Sequence, residues 1–293
     1  MRIKPSALFT SLLLLVLLFH GHSCFSAAKP VVYFGIGMRY HPIVMYERFQ
    51  PMMDYLTQNT PYRFELKLSR DYAETMRFLE EGKTLVSSIG DGGLMEAMLK
   101  YGAVPIVKPL NEVGRPFYRG YFVVPATSTI RSLSDLKGKR VAFGSRHSTT
   151  GNLIPRNMLR KSGIKIEELG SFANLDNHDA VARGVLKGEY DAGAIKSTVA
   201  ERYSSRGMRV LAASDELPSV PVIVRKDAPR ELVEAIAGAL AKLDRRNPAH
   251  ARIMENWDLE YRYGFVPAKV ADYRDLTRMF KAIPNGCGTG CHK

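Results

Sequence analysis

Short apolar runs alternate with helix-spaced segments from residue 31 to residue 280, and few architectures accept that alternation. Val31 to Ile36, Leu85 to Ile89 and Ala103 to Val107 read as buried strands, while Phe64, Leu66 and Leu68 alternate with other residues as in a half-buried one. Between them, Met45, Phe49, Met52, Met53 and Leu56 recur at helical spacing. Asp71 caps a segment carrying Ala73, Met76 and Leu79, and Gly90 to Gly93 turns a strand into a helix bearing Leu94, Met95, Met98 and Leu99. After a strand at Tyr118 to Val124 the alternation restarts, with strands at Arg140 to Phe143, Ser171 to Leu175, Ala192 to Ile195 and Val210 to Ala213. Helices are expected from Gly151 to Arg160 and from His178 to Leu186, and again at Glu231 to Leu243, Arg252 to Met254 and Asp272 to Phe280. Strands interleaved with helices predict an α/β fold. The chain leaves a first lobe near Pro125 and returns near Val220, so residues 29–125 and 218–283 form lobe 1 and residues 126–217 an inserted lobe 2. Two hinge crossings then leave a ligand cleft between the lobes, where strand ends and helix N-termini converge.

The N-terminus reads as an export signal. Arg2 and Lys4 precede an apolar run from Ala7 to Phe19, and small residues follow at Ser26, Ala27 and Ala28, giving an expected cleavage after Ala28. The run is shorter than the roughly 20 residues a membrane span needs. Cys24 raises a lipoprotein alternative, although Gly21 and His22 are poor lipobox residues. Without residues 1–28 the formal charge falls from +13 to +11, because Arg2 and Lys4 leave with no acid. Export argues against nucleic acid as the partner of this charge and leaves acidic ligands, anionic lipid surfaces, an acidic protein partner or an evenly basic exterior. No later segment is apolar enough to span a bilayer, and the mature protein is expected to be a monomer.

The run Gly144-Ser-Arg-His-Ser-Thr-Thr-Gly-Asn-Leu-Ile-Pro-Arg156 follows a strand and opens a helix. Unpaired helical N–H groups, the helix dipole and the hydroxyls of Ser148, Thr149 and Thr150 together suit a tetrahedral oxyanion. The glycine and lysine spacing is not that of a P-loop, and an ordinary Ser/Thr helix cap is the plainer alternative. No Gly-x-Ser-x-Gly nucleophile motif occurs, so an enzyme is not expected.

Leu133-Ser-Asp-Leu-Lys-Gly-Lys139, Val141-Ala-Phe143, Ser148-Thr-Thr-Gly151 and Pro155 resemble the phosphate/phosphite/phosphonate-binding proteins of ABC importers. So do Asp71-Tyr-Ala-Glu74 and His178-Asp-Ala180. The resemblance implies a two-lobed type II periplasmic binding protein that serves an ABC permease or a sensor kinase. In it Ser148, Thr149 and Thr150 would grip the oxyanion and His178 would donate to it, a helix cap or core histidine being the alternative. The chain departs from the family at Asp91-Gly-Gly93, where an aromatic is common, and at Lys196, where an acid or amide is common. Asp91 would meet a ligand amine or a protonated oxygen, and Lys196 would favour a more acidic ligand than an aminophosphonate. Tyr40 is a candidate cleft aromatic or a core residue, and Arg119 and Tyr121 are weaker candidates.

The chain ends in Cys287-Gly-Thr-Gly-Cys291-His292-Lys293, and the mature part holds no other cysteine. Cys-x-x-Cys-His is the usual covalent haem c signature, and one extra residue here resembles its expanded form. Cys287 and Cys291 would bond the haem and His292 would bind its iron, with Met279 or His250 as a possible opposite ligand. A small disulfide loop and a metal site remain alternatives at the same residues. A monohaem redox or sensory protein on the same fold is therefore the competing function.

Overall fold

The computed structural model describes residues 28–37, 40–70, 72–146 and 148–282, and the elements below belong to the unit that begins at Val31. Among the described residues a six-stranded sheet runs in the order β13-β4-β12-β3-β1-β2, with β1 Val31–Ile36, β2 Arg63–Leu68, β3 Val86–Ser88, β4 Val104–Pro109, β12 Val222–Val224 and β13 Phe265–Pro267. A five-stranded sheet runs in the order β10-β6-β9-β7-β8, with β6 Gly120–Pro125, β7 Arg140–Phe143, β8 Ser171–Asn174, β9 Ala192–Lys196 and β10 Met208–Ala213. A two-stranded ladder of β5 (Phe117–Tyr118) and β11 (Leu217–Pro218) lies where the chain passes between them.

The strand expected to close lobe 1 belongs to the other lobe. β6 pairs antiparallel with both β9 and β10, so the first crossing falls at Phe117–Arg119 rather than near Pro125. Hydrophobicity alone could not show this, because a central strand is apolar whichever sheet receives it. With the crossing so placed, the two sheets have matching orders: β2-β1-β3-β12-β4 and β8-β7-β9-β6-β10. In each, an antiparallel strand contributed just after a crossing is wedged between the parallel strands and the next one.

Helices cover both faces of each sheet. On one side of the first sheet, helix α1 (Pro42–Asn59) buries Met45, Phe49, Met52, Met53 and Leu56, as its spacing predicts, against Phe34, Trp257 and Tyr261. Full burial of side chains of this size contributes roughly 1.5–3 kcal/mol each. On the other side lie α2 (Tyr72–Glu80), α3 (Asp91–Tyr101) and α9 (Arg274–Ala282), while α7 (Arg230–Ala241) and α8 (Pro248–Met254) complete the lobe. Glu74 of α2 accepts the Arg70 N–H at 2.7 Å, and hydrogen bonds from Arg70 hold its carboxyl down at about 2. The second sheet carries α4 (Ile154–Lys161) on one face and α5 (His178–Leu186) with α6 (Ser197–Ser204) on the other. Helix α6 and strand β13 were not anticipated from the sequence. No helix among the described residues is long and apolar enough to cross a membrane.

Candidate functional site

The loop after β7 does not enter a helix directly. Thr149–Leu153 forms a π-turn, in which the Leu153 N–H reaches the Ser148 carbonyl at 3.1 Å and the Ile154 N–H bonds the Thr149 carbonyl. A widened turn of this kind breaks the regular ladder and recurs at functional sites. Ser148 caps it, its Oγ accepting the Gly151 N–H at 3.0 Å while lying 3.4 Å from His178 Nε2. Thr149 and Thr150 are almost completely buried, and Thr149 Oγ1 has no hydrogen-bond partner. His178 Nδ1 is likewise buried without a partner. An orphaned buried polar group costs about 1–3 kcal/mol, so two beside one turn point to a missing acceptor or donor. Glycine at 151 is obligatory here: a Cβ would lie 2.9 Å from both His178 Cε1 and Ser148 Oγ, and 3.0 Å from Gly144 Cα.

Residues that sequence reasoning missed brace this loop. Asn174 Nδ2 donates to the Gly144 carbonyl at 2.6 Å and to Asn152 Oδ1 at 3.0 Å, and Asn152 Nδ2 donates to the Arg146 carbonyl at 2.9 Å. Arg156 Nε donates to Asn152 Oδ1 at 2.7 Å, with its guanidinium 4.8 Å from the Phe143 ring centre and 4.9 Å from that of Phe172. Burial, then the nearby Arg146, lowers the pKa of Arg156.

His178 opens α5, whose cap Asn177 accepts the Ala180 N–H at 2.9 Å. Burial, followed by the positive charge of Lys196, holds its imidazole down at about 4, so it is neutral at pH 7. The adjacent Asp179 pairs with Arg202 at 3.0 Å and accepts from Tyr203 Oη at 2.9 Å.

Lys196 ends β9, and its Nζ meets Glu260 Oε1 at 2.7 Å with side chains only 11% and 16% exposed. Glu260, from lobe 1, thus supplies the counter-charge of Lys196. The same Nζ sits 4.2 Å from the ring centre of Tyr118, whose hydroxyl is buried and has no partner. Neither Tyr118 nor Glu260 carried a sequence signal, because only the crossing brings them to β9.

Tyr40 is half-buried and packs against the lobe 1 core. Burial works against the charge of Arg202, but Asp179 and then Tyr40 outweigh it, so Tyr40 lies within electrostatic reach of lobe 2. Asp91 is placed at the start of α3 after Gly90, and its side chain lies outside what the structure describes. Arg119 is engaged by the Ser214 carbonyl at 2.5 Å and Glu216 at 3.3 Å, and Tyr121 packs on the lobe 2 core. Cys24, Cys287, Cys291 and His292 lie outside the described residues. Of the two suggested opposite ligands, His250 Nδ1 accepts the Asp244 N–H at 3.2 Å and Met279 is partly buried against the core. No group of three or more His, Cys, Asp or Glu among the described residues could hold a metal ion.

A cavity of about 460 Å³ opens between the lobes. Its walls come from Asn111, Glu112, Val113, Leu259, Glu260, Arg262 and Tyr263 of lobe 1, from Lys196, Ser197, Thr198 and Arg202 of lobe 2, and from the crossing strands. Ser148, Thr149, Thr150 and His178 do not line it; Lys196, which shifts the His178 titration, connects the two regions. The strand-to-helix loops therefore gather hydroxyl, imidazole and backbone polar groups at one turn, with a larger mixed-charge cavity beside it.

The family model described as "ABC transporter, phosphonate, periplasmic substrate-binding protein" matches residues 34–273. The chain belongs to this family. It is a family of periplasmic substrate-binding proteins rather than enzymes. Among curated relatives, a probable phosphite-binding protein of an ABC transporter from Prochlorococcus marinus is 25% identical over 168 residues, 53% of this chain and 56% of the relative. A phosphate-import protein from Mycolicibacterium smegmatis is 27% identical over 170 residues, 53% of this chain and 51% of the relative. The matched segments thus span about half the length of these relatives. Among solved structures, a component of an ABC phosphonate transporter from Pseudomonas aeruginosa has a TM-score of 0.75 at 19% identity, covering 86% of this chain and 85% of that one. PhnD1 from Prochlorococcus marinus with methylphosphonate gives 0.74 at 19%, covering 86% and 98%. These likenesses establish the two-lobed α/β fold of this phosphonate-family binding protein.

Proposed function

We propose that this binding protein captures a phosphonate-like oxyanion (phosphonate, phosphite or phosphate) and delivers it to an ABC importer. The observation that carries the reading is the π-turn at Thr149–Leu153, with the orphaned Thr149 hydroxyl beside Ser148 and a neutral His178 whose Nδ1 has no partner. Polar groups already in place, without a protein partner, match a tetrahedral anion held on closure of two lobes. The matched family and the phosphite, phosphate and methylphosphonate named for its relatives support the same chemistry. Calorimetry with phosphate, phosphite, methylphosphonate and sulfate tests it. At least one phosphorus oxyanion should bind, and Ser148→Ala with Thr149→Ala should weaken binding by 10-fold or more. Absence of binding by all four, or insensitivity to the double substitution, overturns the assignment.

A second reading rests on the tail sequence Cys287-x-x-x-Cys291-His292, in a chain whose one other cysteine is Cys24. We propose that Cys287 and Cys291 carry a covalent haem c with His292 on the iron, adding a redox or sensory role to the binding fold. Full-length protein exported with a haem-maturation system should keep a Soret band after acid–acetone extraction. Loss of the band, with Cys287 and Cys291 recovered as a disulfide, overturns this reading.

A further inference from the structure

The proposed oxyanion site leaves the inter-lobe cavity unexplained. At about 460 Å³ it lies in the range of roughly 300–1,000 Å³ that encloses whole organic ligands, and a phosphate ion has no carbon to fill it. It is also bounded. The Lys196–Glu260 pair ties the lobes together beside it at 2.7 Å, and the crossing residues Phe117, Tyr118, Ser219 and Val220 form part of its wall.

The polar groups around it carry both signs. Glu216 is taken by Arg115 at 2.7 Å and Arg119 at 3.3 Å, and Glu260 by Lys196. That leaves Glu112 from lobe 1 and Glu201 from α6 of lobe 2, neither of which forms an ion pair among the described residues. Both are exposed residues on the cavity wall, and partial burial, then the charge of Glu112, raises the pKa of Glu201. Such a pair across a cleft favours a cation between them. On the same walls Arg202 and Arg262 each retain a buried Nε–H without an acceptor. The Tyr118 hydroxyl, on a residue only 7% exposed, has no partner either. Unsatisfied guanidinium donors call for an anionic acceptor.

Resting on the oxyanion reading above, we infer that the cavity is a substituent pocket for phosphonates or phosphate monoesters bearing a zwitterionic, amino-acid-like group. The phosphoryl head occupies the Ser148–Thr150 turn. The substituent passes Lys196 and Tyr118, its ammonium is received by Glu112 and Glu201, and its carboxylate by Arg202 and Arg262. No covalent step is involved.

Titration calorimetry of the full chain with inorganic phosphate, methylphosphonate and 2-amino-3-phosphonopropionate tests the inference. The zwitterionic phosphonate should bind at least 10-fold more tightly than methylphosphonate. Glu201→Gln and Arg262→Gln, each altering a cavity side chain, should bring the ratio of the two affinities toward one. Equal affinities in the unaltered protein, or a ratio unmoved by both substitutions, overturn the pocket while leaving the oxyanion site standing. Failure of all three compounds to bind overturns the oxyanion reading itself, and the pocket with it.

Discussion

Thr149 and His178 are costly residues for a ligand-free protein to keep, and each cost has a measurable sign. The Thr149 hydroxyl is buried with no partner, so Thr149→Val keeps the shape and removes an unsatisfied group. The variant should unfold at the same or slightly higher urea concentration, yet bind phosphonate about 10- to 100-fold less tightly, as expected for a lost hydrogen bond to a charged group. A purely structural threonine would show the opposite: lost stability with affinity retained. His178 titrates near 4 in the folded protein against an ordinary value near 6.5. Between those values the unfolded chain binds more protons, so His178 makes the ligand-free protein lose stability as the pH falls through that window. An anion beside the ring raises its pKa, and binding then takes up a proton. Affinity of the unaltered protein relative to His178→Asn should therefore rise from pH 7.5 to pH 5, a ratio in which the ligand's own ionisation cancels. A flat ratio would place His178 away from the anion.

Elements differ in how much of their geometry local sequence dictates. Helix α1 was legible from its apolar spacing even though Pro51 lies inside it, because the face from Met45 to Leu56 is buried and outweighs one broken hydrogen bond. The π-turn was legible only as a helix start, since its extra residue is set by how Gly151 wedges between Gly144, Ser148 and His178. Two glycine substitutions separate these cases. Gly151→Ala forces a Cβ to 3.0 Å from the Gly144 backbone, which cannot swing aside, so anion affinity should fall by more than 10-fold and the melting temperature should drop. Gly238→Ala, on an exposed position of α7 with no atom within 4 Å, should instead stabilise by about 0.5–1 kcal/mol through helix propensity. Thermal melts and calorimetry on the two variants read both effects. Equal behaviour would mean that the turn tolerates repacking.

At the scale of the whole molecule, alternating strands and helices conveyed α/β architecture, but no local pattern conveyed which sheet β6 joins or that the two sheets share one strand order. That order is a property of pairing partners far apart in sequence, as is the meeting of Lys196 with Glu260 across 64 residues. The pair joins the lobes, so its energetics couple fold to binding. Removing one partner from a buried pair costs roughly 3–5 kcal/mol, chiefly by stranding the other charge. Glu260→Gln should accordingly lower the unfolding free energy of the ligand-free protein by a few kcal/mol. The stranded ammonium, however, lies close enough to act on His178, and an oxyanion held there supplies the missing negative charge. The destabilisation should therefore shrink when phosphonate is saturating, and the variant should bind the anion more tightly than the unaltered protein although it is less stable without it. Urea unfolding with and without methylphosphonate measures both sides of this linkage. An equal loss of stability in the two conditions would separate the Lys196–Glu260 pair from the anion and leave it a purely structural tie between the lobes.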